Sequence, residues 1–225
     1  MSKREHISYS ELKDWAHCTH YHKKAWVERV APFEGNEYTE LMEKNIEFNP
    51  VNVQQMKVAG PAILAEVEEA LEVYFGDYEV FSSEEKLYVP IENFNVYFKG
   101  FVDAVVKVGD TYHLFDWKTC SWGWDSRKKA EKIVTYQLTL YKHFFCQKHN
   151  IDPDKVETHF ALLKRTAKKD RVEIFRVSSG AKKTENALKL LYQAIYNIIK
   201  GVTIKNKLNC LKPYRCKLYN TEHCP

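Results

Sequence analysis

The sequence predicts an α/β domain with elements in the order α-β-β-β-α-β, extended by helices at both ends. Three observations carry this reading. Residues 100–118, GFVDAVVKVGDTYHLFDWK, alternate as two strands around a Gly-Asp turn. Ile63, Val67, Ala70, Leu71 and Tyr74 recur at helical spacing just upstream. Two further strand-like runs, Val156–Arg165 and Arg171–Val177, follow a helix and read as a second hairpin.

Taken in order, Ser8 and Ser10 supply N-cap candidates for a helix running to about Arg29. Ala31–Val53, with two prolines and scattered charge, reads as a loop or lid. A helix over Gln54–Phe75 precedes strands at Glu79–Val89, Asn95–Lys107 and Tyr112–Lys118. Thr119–Ser126 is a connecting segment containing Trp122-Gly-Trp124, and a helix over Lys128–His149 follows. After the second hairpin comes a long helix, Ala181–Lys200, and a coiled tail. At 225 residues this is one domain, residues 1–225, with its core at about 54–178.

The central hairpin carries the chemistry. Gly109-Asp110 suits a two-residue type II′ loop, which pairs Val108 with Thr111 and, counting outward, Asp103 with Asp116. Directly opposed side chains have Cβ atoms roughly 4.5–5.5 Å apart, and like charges there repel. Apolar neighbours on both faces make these strands central, so two facing carboxylates ask for a cation. Lys118, two residues beyond Asp116, shares its face. Two carboxylates and an amine on one face suit metal-assisted hydrolysis.

These residues resemble the PD-(D/E)XK nuclease superfamily and, within it, the RecB-like exonuclease branch. The matching pieces are Gly100-Phe-Val-Asp103, Asp116-Trp117-Lys118 and, nineteen residues on, Gln137-Leu-Thr-Leu-Tyr141. The opening ISYSELKDWAHC is similar to the branch's N-terminal helix. The resemblance implies a restriction-endonuclease-like core, a mixed central sheet flanked by helices. It also implies Mg²⁺ or Mn²⁺ held by Asp103, Asp116 and the Trp117 carbonyl, with Lys118 acting on the attacking water or the phosphorus. A metal-binding His usual in the branch is absent, since Leu64 stands four residues after Gly60. Glu66 or Glu68 could replace it. Each flanks the apolar face of the helix about 100° from its centre, and the Gly60 spacing favours Glu68. Gln137 and Tyr141, at i and i+4 on one helix face, would help bind DNA near the site.

The branch also includes members that hold a [4Fe–4S] cluster through one N-terminal and three C-terminal cysteines. Cys18, Cys210, Cys216 and Cys224 resemble that set, although Tyr219 stands where a cysteine is usual. Zinc is the alternative at four thiolates, and reduced thiols the simplest one. Cys120 and Cys146 read as free thiols. His17, His20 and His22 lack the partners of a zinc motif and read as surface histidines.

Composition fits this picture, with 44% hydrophobic and 28% charged residues. No segment approaches 18 uncharged apolar residues, and the N-terminus has no apolar core of a signal peptide. An intracellular, cytoplasmic protein without a membrane anchor is expected. The net charge of +4 says little. Its distribution says more: Lys164, Arg165, Lys168, Lys169 and Arg171 cluster at one turn, and Arg127, Lys128, Lys129 and Lys132 open a helix. Beside a DxK site both suit phosphate contact. Trp122 and Trp124 could stack on unpaired bases or cap the core. The expected activity is exonuclease action on single strands or DNA ends in recombination, repair or replication. Endonuclease action and an inactive DNA- or protein-binding module are the alternatives. There is no GxxxxGK[ST] P-loop, so unwinding would need a separate helicase or recombinase.

Overall fold

The computed structural model describes residues 5–29, 50–211, 216 and 218–225, which form two compact units. The first comprises residues 1–6 and 49–188, the second 7–48 and 189–225. Most of the expected loop Ala31–Val53 lies outside the described residues, and its last four positions open a helix. None of the described helices is long and apolar enough to cross a membrane.

The first unit is built on a mixed sheet. Strands β2 (Glu79–Pro90), β3 (Tyr97–Val108), β4 (Thr111–Cys120), β5 (Val156–Lys164) and β6 (Val172–Arg176) pair in chain order. All pairs are antiparallel except β4–β5, which is parallel. A parallel pair needs a long crossover, and here it is the helix Lys132–His149. A short strand β1 (His6–Ser8) precedes them in the chain, and within the first unit the Tyr97 amide donates to the Glu5 carbonyl at 2.9 Å. The expected restriction-endonuclease-like arrangement of strands and flanking helices is the one observed.

Alternation along β4 sends successive side chains to two different helices. Helix α3 (Pro50–Phe75) covers one face, packing Val67 and Leu71 against Val106, Phe115, Trp117 and Ala161. The other face meets the crossover helix. There Leu138 and Val134 pack on Phe160, Phe175 and Val177. The helix expected over Lys128–His149 is two pieces, α4 (Ser126–Lys129), capped by the Asp125 carboxylate, and α5 (Lys132–His149). Extended backbone at Glu131 separates them. α5 ends at Asn150 in the left-handed conformation, a residue type that tolerates it.

The second unit contains α1 (Tyr9–His17), α2 (Thr19–His22), the π-helical turn Lys23–Val27 and the chain from Lys189 onward. That chain begins within α6 (Ala181–Ile199). Ser8 caps α1 as expected, its hydroxyl accepting from the Glu11 amide at 3.2 Å. The single helix expected to Arg29 breaks at Cys18, which takes an extended backbone. His22 is no surface residue: it is 2% exposed and bonded through Nε2 to Glu11 Oε1 at 2.7 Å. His20 bonds the His223 carbonyl at 2.8 Å, so HCTHYH does not converge on one ion.

Gly100 allows α5 to approach the sheet. A Cβ built there would lie 2.9 Å from Tyr141 Cε1 and 3.3 Å from Phe98 Cε1. Gly100→Ala is therefore expected to cost about 1–3 kcal/mol by overpacking. Gly100→Ala combined with Tyr141→Leu should cost less than the sum of the single changes. Urea denaturation of the four-member cycle checks this, and strict additivity would show that the contact carries no strain.

Candidate active site

The β3–β4 hairpin has the expected register, from Val108–Thr111 to Ala104–Phe115. One further step would place Asp103 opposite Asp116. The backbone ladder stops short of that step. The Trp117 amide, instead of continuing it, donates to Asp103 Oδ2 at 2.7 Å. Two opposed carboxylates in a continuous ladder would repel at close range, and a side-chain acceptor in place of a carbonyl ends the pairing where that repulsion begins.

Asp116 is 3% exposed. In the parallel ladder it lies beside Phe160, which places it on the α5 side of the sheet. From α5, Gln137 Nε2 donates to Asp116 Oδ1 at 2.5 Å and lies 3.3 Å from the Tyr141 hydroxyl. Lys118 makes an ion pair with Asp116 Oδ2, and its ammonium lies 5.8 Å from the centre of the Phe160 ring. Oδ2 is buried, with the Lys118 ammonium as its partner. Asp103, Asp116, Lys118, Gln137 and Tyr141 thus meet at one place. The residue between the two motif positions, Trp117, turns its ring to the other face, stacking on Phe115 at 5.8 Å.

Burial governs the electrostatics. It pushes the Asp116 carboxyl above its ordinary 3.8 to about 6; Lys118 opposes the shift and Asp103 adds to it. Burial likewise pushes Tyr141 up to about 12, against the hydrogen bond from Gln137. A buried carboxylate beside a second carboxylate fits a hard divalent cation, which prefers such oxygens.

The helix glutamates are not brought to this pair. Among the described residues, neither Glu66 nor Glu68 joins Asp103 and Asp116 in a group of three ligand atoms within 4.8 Å of one another. Glu66 accepts from the Arg171 amide at 2.7 Å and pairs with the Arg171 guanidinium, while Glu68 is exposed. Of the basic clusters, Arg171, Lys164 and Lys129 are taken up in ion pairs with Glu66 or Glu173. Arg127, Lys128, Lys132, Arg165, Lys168 and Lys169 are exposed. Trp124 packs against Phe160 and Phe175, whereas Trp122 is 78% exposed.

In the second unit the four cysteines gather. Burial raises the Cys210 thiol, and Cys216, Cys224 and Cys18 add to the shift by their proximity. The Asn206 amide donates to Cys18 Sγ at 3.5 Å, and the Cys210 thiol donates to the Asn206 carbonyl at 3.5 Å. Cys216 and Cys224 pack with Ala25 and Leu218. Among the described residues, the three donors found within 4.8 Å of one another are those of His113, Glu157 and His159, not these sulfurs. All six cysteines are free thiols, Cys120 and Cys146 lying in the first unit.

The raised Asp116 value has a consequence for the metal-free protein. A group that holds its proton more tightly when folded contributes most below the unfolded value, and that contribution is lost as pH rises through about 6. Asp116→Asn should remove this loss. Melting curves in chelator between about pH 4 and pH 8 should show the wild type falling relative to the variant as pH rises. Parallel profiles would show that Asp116 does not titrate there.

Comparison with known proteins bears on the whole chain. Comparison with curated proteins finds no match. Among solved structures, one from Eubacterium rectale, named “Putative exonuclease”, shares the fold at 15% identity, with a TM-score of 0.60 over 96% of this chain and 86% of that one. Another, named SSO0001, is 12% identical, with a TM-score of 0.42 over 87% of this chain and 78% of that one. Residues 5–225 match the family model of the PD-(D/E)XK nuclease superfamily. With a hairpin that sets Asp103 against Asp116-Trp117-Lys118 and a family match across nearly its full length, the chain belongs to the PD-(D/E)XK nuclease superfamily.

Proposed function

We propose that the protein is a metal-dependent DNA exonuclease acting on single strands or strand ends. The observation that carries this is the convergence of Asp103, Asp116, Lys118 and Gln137 where the β3–β4 ladder ends. Asp103 and Asp116 would hold Mg²⁺ or Mn²⁺, with the carbonyl of Trp117, the residue after Asp116, as a further ligand; such an ion lowers the pKa of bound water and neutralises charge on phosphate. Lys118 carries a donor at the same spot, placed to orient the attacking water or a phosphate oxygen. Gln137 fixes the Asp116 carboxylate, and Tyr141 fixes Gln137 from the next turn of α5. Glu66 and Glu68 remain outside this set. Trp122 and the exposed Arg127, Lys128 and Lys132 follow β4 in the chain and offer a stacking surface and phosphate contacts. Recombination, repair or replication is the setting for such an activity, with a separate helicase or recombinase as partner. Endonuclease action on the same core is the second reading.

Asp116→Ala and Lys118→Ala are each expected to abolish cleavage of end-labelled DNA in Mg²⁺ while the protein stays folded. Chelation should stop the wild type, and Mn²⁺ should restore it. Activity surviving in either variant would remove the mechanism. Degradation of circular single strands at the rate of linear ones would favour the endonuclease reading.

The cysteines of the second unit we assign to a [4Fe–4S] cluster held by Cys18, Cys210, Cys216 and Cys224, tying the N-terminal helices to the tail. An amide donor to Cys18 Sγ and burial of three of the four thiols support that assignment. Protein purified without oxygen should be brown and contain iron and sulfide. Cys210→Ser should lose both and melt at a lower temperature. Zinc in place of iron, or neither metal with an unchanged melt, would refute it.

A further inference from the structure

On the face of the sheet away from Asp116, β4 and β5 bring together three side chains that the nuclease chemistry does not use. The parallel register sets His113 beside Glu157, and His159 returns to the same face two residues later. His113 Nδ1 lies 3.1 Å from His159 Nε2 and 3.6 Å from Glu157 Oε2, and the last two atoms are 3.8 Å apart. The point equidistant from the three atoms of that triangle lies about 2.0 Å from each. Zinc bonds to imidazole nitrogen and carboxylate oxygen are about 2.0–2.2 Å long. We propose that His113, Glu157 and His159 form a second metal site, for a borderline divalent cation of the zinc class, with one coordination position left for water.

The surroundings support it. The carboxylate oxygen stands too far from either ring for a hydrogen bond, so hydrogen bonding does not account for its place in the triangle. Its other oxygen is anchored by Arg176 Nη2 at 2.8 Å, which holds Glu157 with Oε2 turned inward. The Tyr74 hydroxyl lies 3.5 Å from His159 Nδ1, on the far side of that ring from the triangle. A partner on the second nitrogen is the usual way a ligating histidine is oriented. Phe75 packs on both imidazoles, at 4.6 and 5.5 Å, and Phe115 stacks on His159 at 5.2 Å. Burial in this aromatic shell lowers His113 and takes His159 down to about 3, so both rings are neutral and keep their lone pairs near pH 7. The Arg176 charge works against a dication, but it sits on the far carboxylate oxygen.

Donor chemistry separates this site from the nuclease centre. Hard Mg²⁺ or Mn²⁺ prefers the oxygens of Asp103 and Asp116, whereas imidazole selects zinc-class ions. A metal here would bridge β4 to β5 three residues before Asp116 and Phe160, stiffening the strand that carries the reacting groups.

The test uses the full chain, stripped with chelator and titrated with zinc alone. Wild type should take up one equivalent more than His113→Asn, and zinc should raise its melting temperature more than that of the variant. Glu157→Gln, at a partly exposed residue, should keep the fold and weaken that equivalent by about tenfold or more. Cobalt bound in its place should show no thiolate charge-transfer band, which distinguishes it from occupancy of the cysteines. Equal zinc content and equal melting shifts in wild type and Glu157→Gln would overturn the proposal, leaving the imidazoles joined by their hydrogen bond alone. Should His113→Asn not fold, Glu157→Gln decides the question by itself.

Discussion

A carboxylate buried at the centre of a sheet is expensive unless its surroundings compensate it, and the first unit is organised around that requirement at Asp116. Gln137 reaches one oxygen from α5, Lys118 reaches the other from the same strand, and Asp103 leaves the ladder to accept an amide. The compensation is incomplete, which is why the carboxyl is pushed up to about 6. Incomplete satisfaction of a buried group is what a cation site needs before the cation arrives. Tyr141 and Gly100 belong to the same arrangement. Without a Cβ at residue 100, α5 can come close enough to bring the Gln137 amide to Asp116.

The sheet divides its chemistry by face. Toward α5, β4 presents Asp116 and Lys118; toward α3 it presents His113, Phe115 and Trp117. Each face is lined from the neighbouring parallel strand in the same period, so Phe160 accompanies Asp116 while Glu157 and His159 accompany His113. A one-residue slip of β4 against β5 would exchange the two sets. The large apolar residues fixed on either side, Phe115 under α3 and Phe160 under α5, oppose any such slip.

The second unit gathers residues from both ends of the chain. Its organising feature is the break at Cys18, where extended backbone interrupts the helix and the sulfur meets the Asn206 amide. Neighbouring polar groups are satisfied locally, as in the buried Glu11–His22 pair and the bond from Trp26 to Asp14 at 2.8 Å.

Local periodicity and turn chemistry determined much of this protein without reference to its tertiary structure. The strands, the Val108–Thr111 register and the common face of Asp116 and Lys118 follow from a two-residue alternation and one Gly-Asp turn. The i, i+4 spacing likewise places Gln137 beside Tyr141. Other features depend on which surfaces meet, and short-range patterns do not encode that. The helical wheel left Glu66 and Glu68 equivalent; the capture of Glu66 by Arg171 tells them apart. The breaks at Cys18 and Glu131 also lay beyond periodicity, which continues through both. His113 and Glu157-x-His159 are 44 residues apart in sequence and carry no motif. They become neighbours only because a parallel pairing aligns β4 with β5, a long-range choice made by burying Phe115 and Phe160 on opposite faces of the sheet.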